Sequence, residues 1–136
     1  MQLTTHLSFR GQCEEAFKCY ERLLGGRIDM MLTYGDSPMA LQVPPEWRSK
    51  ILHATLAVSQ SILTGTDVLI EQYEKPQGFS VLLGIAEPEE AERLFHVLAE
   101  KGSIRMPYQK TFWSSGFGVL VDRFGIPWEI NCEHSP

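Results

Sequence analysis

Residues 7–26 read LSFRGQCEEAFKCYERLLGG, and residues 82–102 read LLGIAEPEEAERLFHVLAEKG. With an offset of 75 residues, Glu14, Glu15 and Ala16 fall on Glu89, Glu90 and Ala91, Tyr20 on Phe95, and Leu23 on Leu98. A self-match at a fixed offset is the mark of a repeated unit. Each copy opens as an apolar strand, passes a polar turn and continues as a helix. Ala16, Tyr20, Leu23 and Leu24 share one face of the first helix; Ala91, Leu94, Phe95 and Leu98 share one face of the second. Gly25-Gly26 and Gly102 are the expected stops, and Pro88 suits the first turn of the second helix. The helices are expected at about 12–25 and about 87–101.

Working outward, each helix is followed by three strand candidates. The first half offers IDMMLTYG (28–35), ILHATLAVS (51–59) and SILTGTD (61–67). The second offers IRMPYQ (104–109), GFGVLVD (116–122) and IPWEINC (126–132). Each half therefore reads as β-α-β-β-β, an α+β class. The modules are placed at about 1–70 and about 76–134, packed as a single domain over 1–136. Residues 36–50 form a Pro-rich loop, and residues 70–78 link the halves.

The 136 residues are 43% apolar and 21% charged, which suits one globular domain. A net charge of −5 argues against nucleic acid, since phosphate contacts need a basic surface. No apolar run has the length of a membrane span, and the N-terminus lacks a secretory pattern. Cys13, Cys19 and Cys132 are an odd set without a CxxC spacing and read as reduced thiols, so the expected location is cytoplasmic.

LSFRGQCEEAFKCYERLLGG, YGDSP (34–38), ILHATL (51–56), EEAERLFHVLAEKG (89–102) and FGVLVDRFGIPWEINCE (117–133) together span nearly the whole chain. In them the chain resembles the PhnB-like branch of the vicinal oxygen chelate superfamily, which includes glyoxalase I, bleomycin-resistance proteins and extradiol dioxygenases. Members of this branch are often labelled demethylubiquinone methyltransferases. No glycine-rich cofactor loop after the first strand supports that label here. The resemblance implies a cupped mixed sheet with helices on its outer face, a small ligand in the cup, and a homodimer. Metal-using relatives line the cup with four ligands, from the first and last strand of each module.

Side chains alternate along a strand, so facing can be followed. Leu7 and Phe9 pack under the first helix, which turns Thr4, His6 and Ser8 to the cup. Trp128 and Ile130 do the same in the last strand and turn Glu129 to the cup. The resemblance then places ligand positions at Thr4, at Leu63 or Thr64, at Phe79 by the 75-residue offset, and at Glu129. Threonine and phenylalanine are poor ligands for a divalent ion, so no metal is expected. His6 and His53 are the candidates for a substitute site. The expected ligand-binding set is His6, Ser8, His53, Thr64, Phe79, Trp113 and Glu129, with His6, His53 or Arg105 as the partner of Glu129. Phe79, Phe112 and Trp113 read as cup walls, Trp113 alternatively as a dimer contact, and Trp47 as a loop anchor. Cys132 is expected to pack under a helix. No base stands near Ser114 or Ser115 at a spacing that would make a nucleophile.

Three functional readings follow: a small-molecule binding or sequestering protein without turnover, a metal-dependent lyase, isomerase or dioxygenase with Glu129 as ligand or base, and a structural or regulatory dimer with a vestigial cup. The residues name neither ligand nor cofactor.

Overall fold

The structure, a computed structural model, describes residues 1–133. It divides into two compact units at Glu74/Lys75, inside the linker expected at 70–78. Residue 134, the expected end of the second module, lies outside the described residues. The first unit runs β1 (Thr5–Phe9), α1 (Cys13–Leu24), β2 (Arg27–Thr33), β3 (Ile51–Val58) and β4 (Ser61–Asp67). The second runs β5 (Val81–Ile85), α2 (Pro88–Ala99), β6 (Ser103–Gln109), β7 (Phe117–Val121) and β8 (Pro127–Cys132). Each is a βαβββ module, and the expected elements are present. The strands pair as two four-stranded mixed sheets, in the orders β1-β4-β3-β2 and β5-β8-β7-β6. The first and last strands of each module run parallel; the other ladders are antiparallel.

Each sheet buries one face against its helix. In the first module Leu7, Phe9, Ala54, Leu56 and Leu63 meet Cys13, Ala16, Phe17 and Tyr20. Phe17, and not the half-buried Leu23 and Leu24, completes the buried face of α1. Gly65 makes room for it: a Cβ there would stand 2.6 Å from the Phe17 ring. In the second module Ala91, Leu94, Phe95 and Leu98 lie on Leu120, Trp128, Ile130 and Cys132, with Gly118 under the Phe95 ring. Burying one such aromatic contributes about 1.5–3 kcal/mol.

The repeat is tighter than the helix alignment implies. The helices repeat at 75, but β1 and β5 (Thr5–Phe9 and Val81–Ile85) repeat at 76. So do the irregularities in β2 and β6, at Ile28/Met30 and Ile104/Met106. The turn after β1 holds Arg10, Gly11 and Gln12; the turn after β5 holds only Ala86 and Glu87. The lost residue is regained after α2. There Lys101 (φ 60) takes the left-handed position that Gly25 (φ 67) takes after α1. Gly102 is thus not the stop it was expected to be. It is needed because a Cβ would run into the Val121 carbonyl.

Two buried aspartates tie the loops down. Asp67, 1% exposed, accepts from the backbone N–H of Gly11 (2.9 Å), Cys13 (3.0 Å) and Ile51 (2.9 Å). It caps α1, whose Gln12 makes no side-chain cap. Asp122 opens the DRFG turn, accepting from Phe124 N (2.8 Å) and Ile126 N (2.9 Å), and its other oxygen takes the Trp128 indole N–H at 2.8 Å. Trp47 is buried, with its ring against Gly11, which makes it the loop anchor expected.

Candidate functional site

The sheet face turned away from each helix carries the chemistry. In the first module the ladders set His6 opposite Thr64, Thr64 opposite Thr55, and Thr55 opposite Met30. His6 Nδ1 and Thr64 Oγ1 are 2.7 Å apart. His53 brings its ring nearly parallel to that of His6 (14°, centroids 6.3 Å apart), with Nε2 at 3.3 Å from Thr55 Oγ1. Ser8 pairs with Thr66, whose hydroxyl donates to the Leu52 carbonyl at 2.7 Å. His6, Ser8, His53 and Thr64 are therefore gathered on one polar face. Burial, and then the charge of His53, holds the His6 pKa below its usual value, so the pair resists carrying two charges.

The same rung in the second module reads Leu82, Glu129, Val119 and Met106. The 76-residue strand offset makes Leu82 the counterpart of His6 and Met106 that of Met30, and the parallel ladders make Glu129 the counterpart of Thr64. Glu129 is half-buried between the buried Trp128 and Ile130, as its phase predicts. Among the described residues it takes no side-chain hydrogen bond or ion pair, so Arg105, exposed on β6, is not its partner.

Two expected positions move. Thr4 precedes β1 and is exposed, and Phe79 precedes β5 at 45% exposure. The offset accounts for Phe79, since at 76 the counterpart of Thr4 is Ser80; Thr4 itself lies two residues before His6, the residue that pairs with Thr64, and the first-strand residue beside Glu129 is Leu82. Trp113 is 49% exposed, its ring 5.3 Å from that of Phe117 and 4.8 Å from that of Phe112. Phe117 stands opposite Asn131, one rung from Glu129. Ser114 is fully buried, its hydroxyl between the carbonyls of Gly116 (2.7 Å) and Cys132 (2.9 Å), which is a structural role. Thr55, Leu82 and Phe117 were missed. Sliding the repeat by one residue until Leu83 and Ile85 match Leu7 and Phe9 would have found Leu82.

The four rung positions on the first and last strands are thus His6, Thr64, Leu82 and Glu129. The first module's pair is one imidazole and one neutral hydroxyl, the second's one carboxylate and one hydrocarbon; neither pair is a strong donor set for a divalent ion. No group of three or more His, Cys, Asp or Glu side chains among the described residues is placed to hold a metal ion.

Residues 1–131 match the family described as 3-demethylubiquinone-9 3-methyltransferase. Protein YjdN of Escherichia coli (strain K12) is 34% identical over 96% of this chain and 95% of its own. The crystal structure of protein PA1353 from Pseudomonas aeruginosa superposes with a TM-score of 0.89 at 45% identity, covering 98% of both chains. A Bacillus cereus structure titled a putative 3-demethylubiquinone-9 3-methyltransferase, PhnB protein, gives 0.83 at 26% identity over 97% of this chain and 99% of its own. Below 25% identity the same fold recurs in structures titled a possible glyoxalase, a fosfomycin resistance protein and a glyoxalase/bleomycin resistance protein/dioxygenase family enzyme.

Proposed function

The chain belongs to the PhnB-like family, described as 3-demethylubiquinone-9 3-methyltransferase, with a glyoxalase/bleomycin-resistance-like fold, and from that premise we propose that it binds a small organic molecule without a complete metal site. The observation that carries this reading is the central rung of each open sheet face. It offers His6 and Thr64 in one module, and Glu129 beside Leu82 in the other. These are hooks for a ligand, with a hydrocarbon where a cation cage would need a donor. The two modules act as one domain, and the chain works as a cytoplasmic homodimer whose partner is its small-molecule ligand. No helix among the described residues is long and apolar enough to cross a membrane.

Methyl transfer, named in the family's description, is not the reading favoured. The turn after β1 is taken up by Asp67, by the Trp47 ring and by Lys50, whose ammonium donates to the Gly11 carbonyl at 3.1 Å. A metal-dependent lyase, isomerase or dioxygenase is the second reading, favoured by the stacked His6–His53 pair.

A thermal-shift screen of small molecules tests the proposal. His6→Gln and Glu129→Gln should move the melting temperature of the free protein by no more than about 2 °C, as surface changes do. The shift given by a hit should be lost in the variant whose module binds it. A shift that survives both substitutions refutes the site. Elemental analysis near one metal per chain, lost in Glu129→Gln, promotes the second reading. Light scattering should give twice the chain mass of 15.4 kDa.

A further inference from the structure

The open face of the second module carries one carboxylate in an apolar field. Leu82, 60% exposed, and Val119 flank Glu129 on its rung, and Phe117 is its diagonal neighbour, about 7–8 Å away between Cα atoms. Trp113 extends that aromatic wall beyond Phe117. The turn presenting Trp113 is built, not loose. Thr111 N donates to the Ser114 carbonyl (3.0 Å), Ser114 N donates to Thr111 Oγ1 (3.0 Å), and the Ser114 side chain is wholly buried. A well-bonded turn thus holds an indole half in water, where it contributes little to the core. Glu129 meanwhile has no countercharge among the described residues.

A carboxylate next to aromatic rings and exposed aliphatic surface lacks a cation that also has an apolar body. An inorganic cation would find one carboxylate and hydrocarbon. An anion would be repelled by Glu129. A neutral apolar molecule would leave the carboxylate to be desolvated without compensation. An organic cation meets both surfaces: its charge can face the carboxylate and the ring faces together, and its body covers Leu82 and Val119.

We propose that this face recognises a small organic monocation, with Glu129 as its counter-ion and Trp113 and Phe117 as its aromatic wall. The inference rests on the small-molecule reading and names the ligand's class. The charge complementarity of Glu129 selects this occupant over a second copy of the chain, which would need only the apolar part of the surface.

Trp113 is the reporter, because Trp47 and Trp128 are 7% and 0% exposed. The probes are (4-hydroxyphenyl)trimethylammonium and 4-tert-butylphenol, which share a shape and differ in charge. Titration of the full chain should show quenching by the cation with an affinity about tenfold above that for the phenol. Glu129→Gln should weaken the cation about tenfold and so remove that preference. Trp113→Leu should weaken both, read by thermal shift. Equal affinities for the two probes overturn the cation assignment while leaving small-molecule binding standing. So does failure of both probes at millimolar concentration when other compounds in the screen bind. A concentration-dependent blue shift of Trp113 without probe overturns it in favour of a second copy on this face. A screen with no binder of any kind sinks the parent reading as well.

Discussion

Replacing Asp67 with asparagine changes one heavy atom and tests how the first module is tied together. Oδ1 takes two backbone N–H groups, from Gly11 and Cys13, and Oδ2 takes one, from Ile51. An asparagine can keep its carbonyl toward the pair, but its NH2 then faces the Ile51 N–H, donor against donor. An orphaned buried donor costs about 1–3 kcal/mol. Turning two charge-assisted bonds into neutral ones removes about 1–2 kcal/mol more. The total, about 2–5 kcal/mol, is a large part of the 5–15 kcal/mol that holds a typical domain folded. Urea unfolding followed by circular dichroism should show the midpoint falling by roughly 1–2 M at unchanged slope. Asp122→Asn should behave alike, since its second oxygen takes the Trp128 indole N–H and an amide NH2 would face it. A loss below about 0.5 kcal/mol in both variants, the range of an ordinary surface change, would refute the reasoning.

Gly65→Ala should destabilise by about 1–3 kcal/mol through collision with the Phe17 ring; pairing it with Phe17→Leu should recover part of that loss, and simple additivity in the cycle would show that the two do not meet. The His6 pKa lies below its unfolded value, so the unfolded chain binds the proton more readily; stability should fall as pH drops through about 6.5 and level off below the folded pKa, and His6→Gln should flatten that part of the profile. A pH profile unchanged by His6→Gln would count against the crowded pair. Burial, then the charges of Asp67 and Glu14, push the Cys13 thiol up, so a thiol reagent should leave it untouched in the native protein and modify it in urea; rapid native labelling at Cys13, read by mass spectrometry, would contradict this.

The two-module plan was legible because amphipathic helices with Ala16/Ala91 and Tyr20/Phe95 in step survive in the sequence, and because Leu7, Phe9, Trp128 and Ile130 carry clear strand phases. The facing of His6 and Glu129 followed from those phases. What failed was transfer between modules. The helix gives an offset of 75 and the strands 76, and a slip of one residue turns a strand over, so the reading arrived at Phe79 and passed over Leu82. His53 and Thr55 could be placed on a strand, but their meeting with His6 depends on a ladder register that local sequence does not state. Asp67 and Asp122 resemble ordinary loop aspartates in sequence; their part in the fold lies in backbone donors that come from up to 56 residues away.

The parallel ladder between β1 and β4 has a consequence for the order of events during synthesis. Thr5 pairs with Leu63, 58 residues later, whereas β2, β3 and β4 each pair with the strand made just before or after them. At about 5–20 residues per second, the first strand waits roughly 3–12 s after leaving the ribosome before its partner is made. The β2–β3 hairpin needs no such delay, since both its strands are made before β4. The Leu7–Phe9 segment stays unpaired through that interval, so a nascent-chain chaperone would find it there. The strand made first waits longest for its partner.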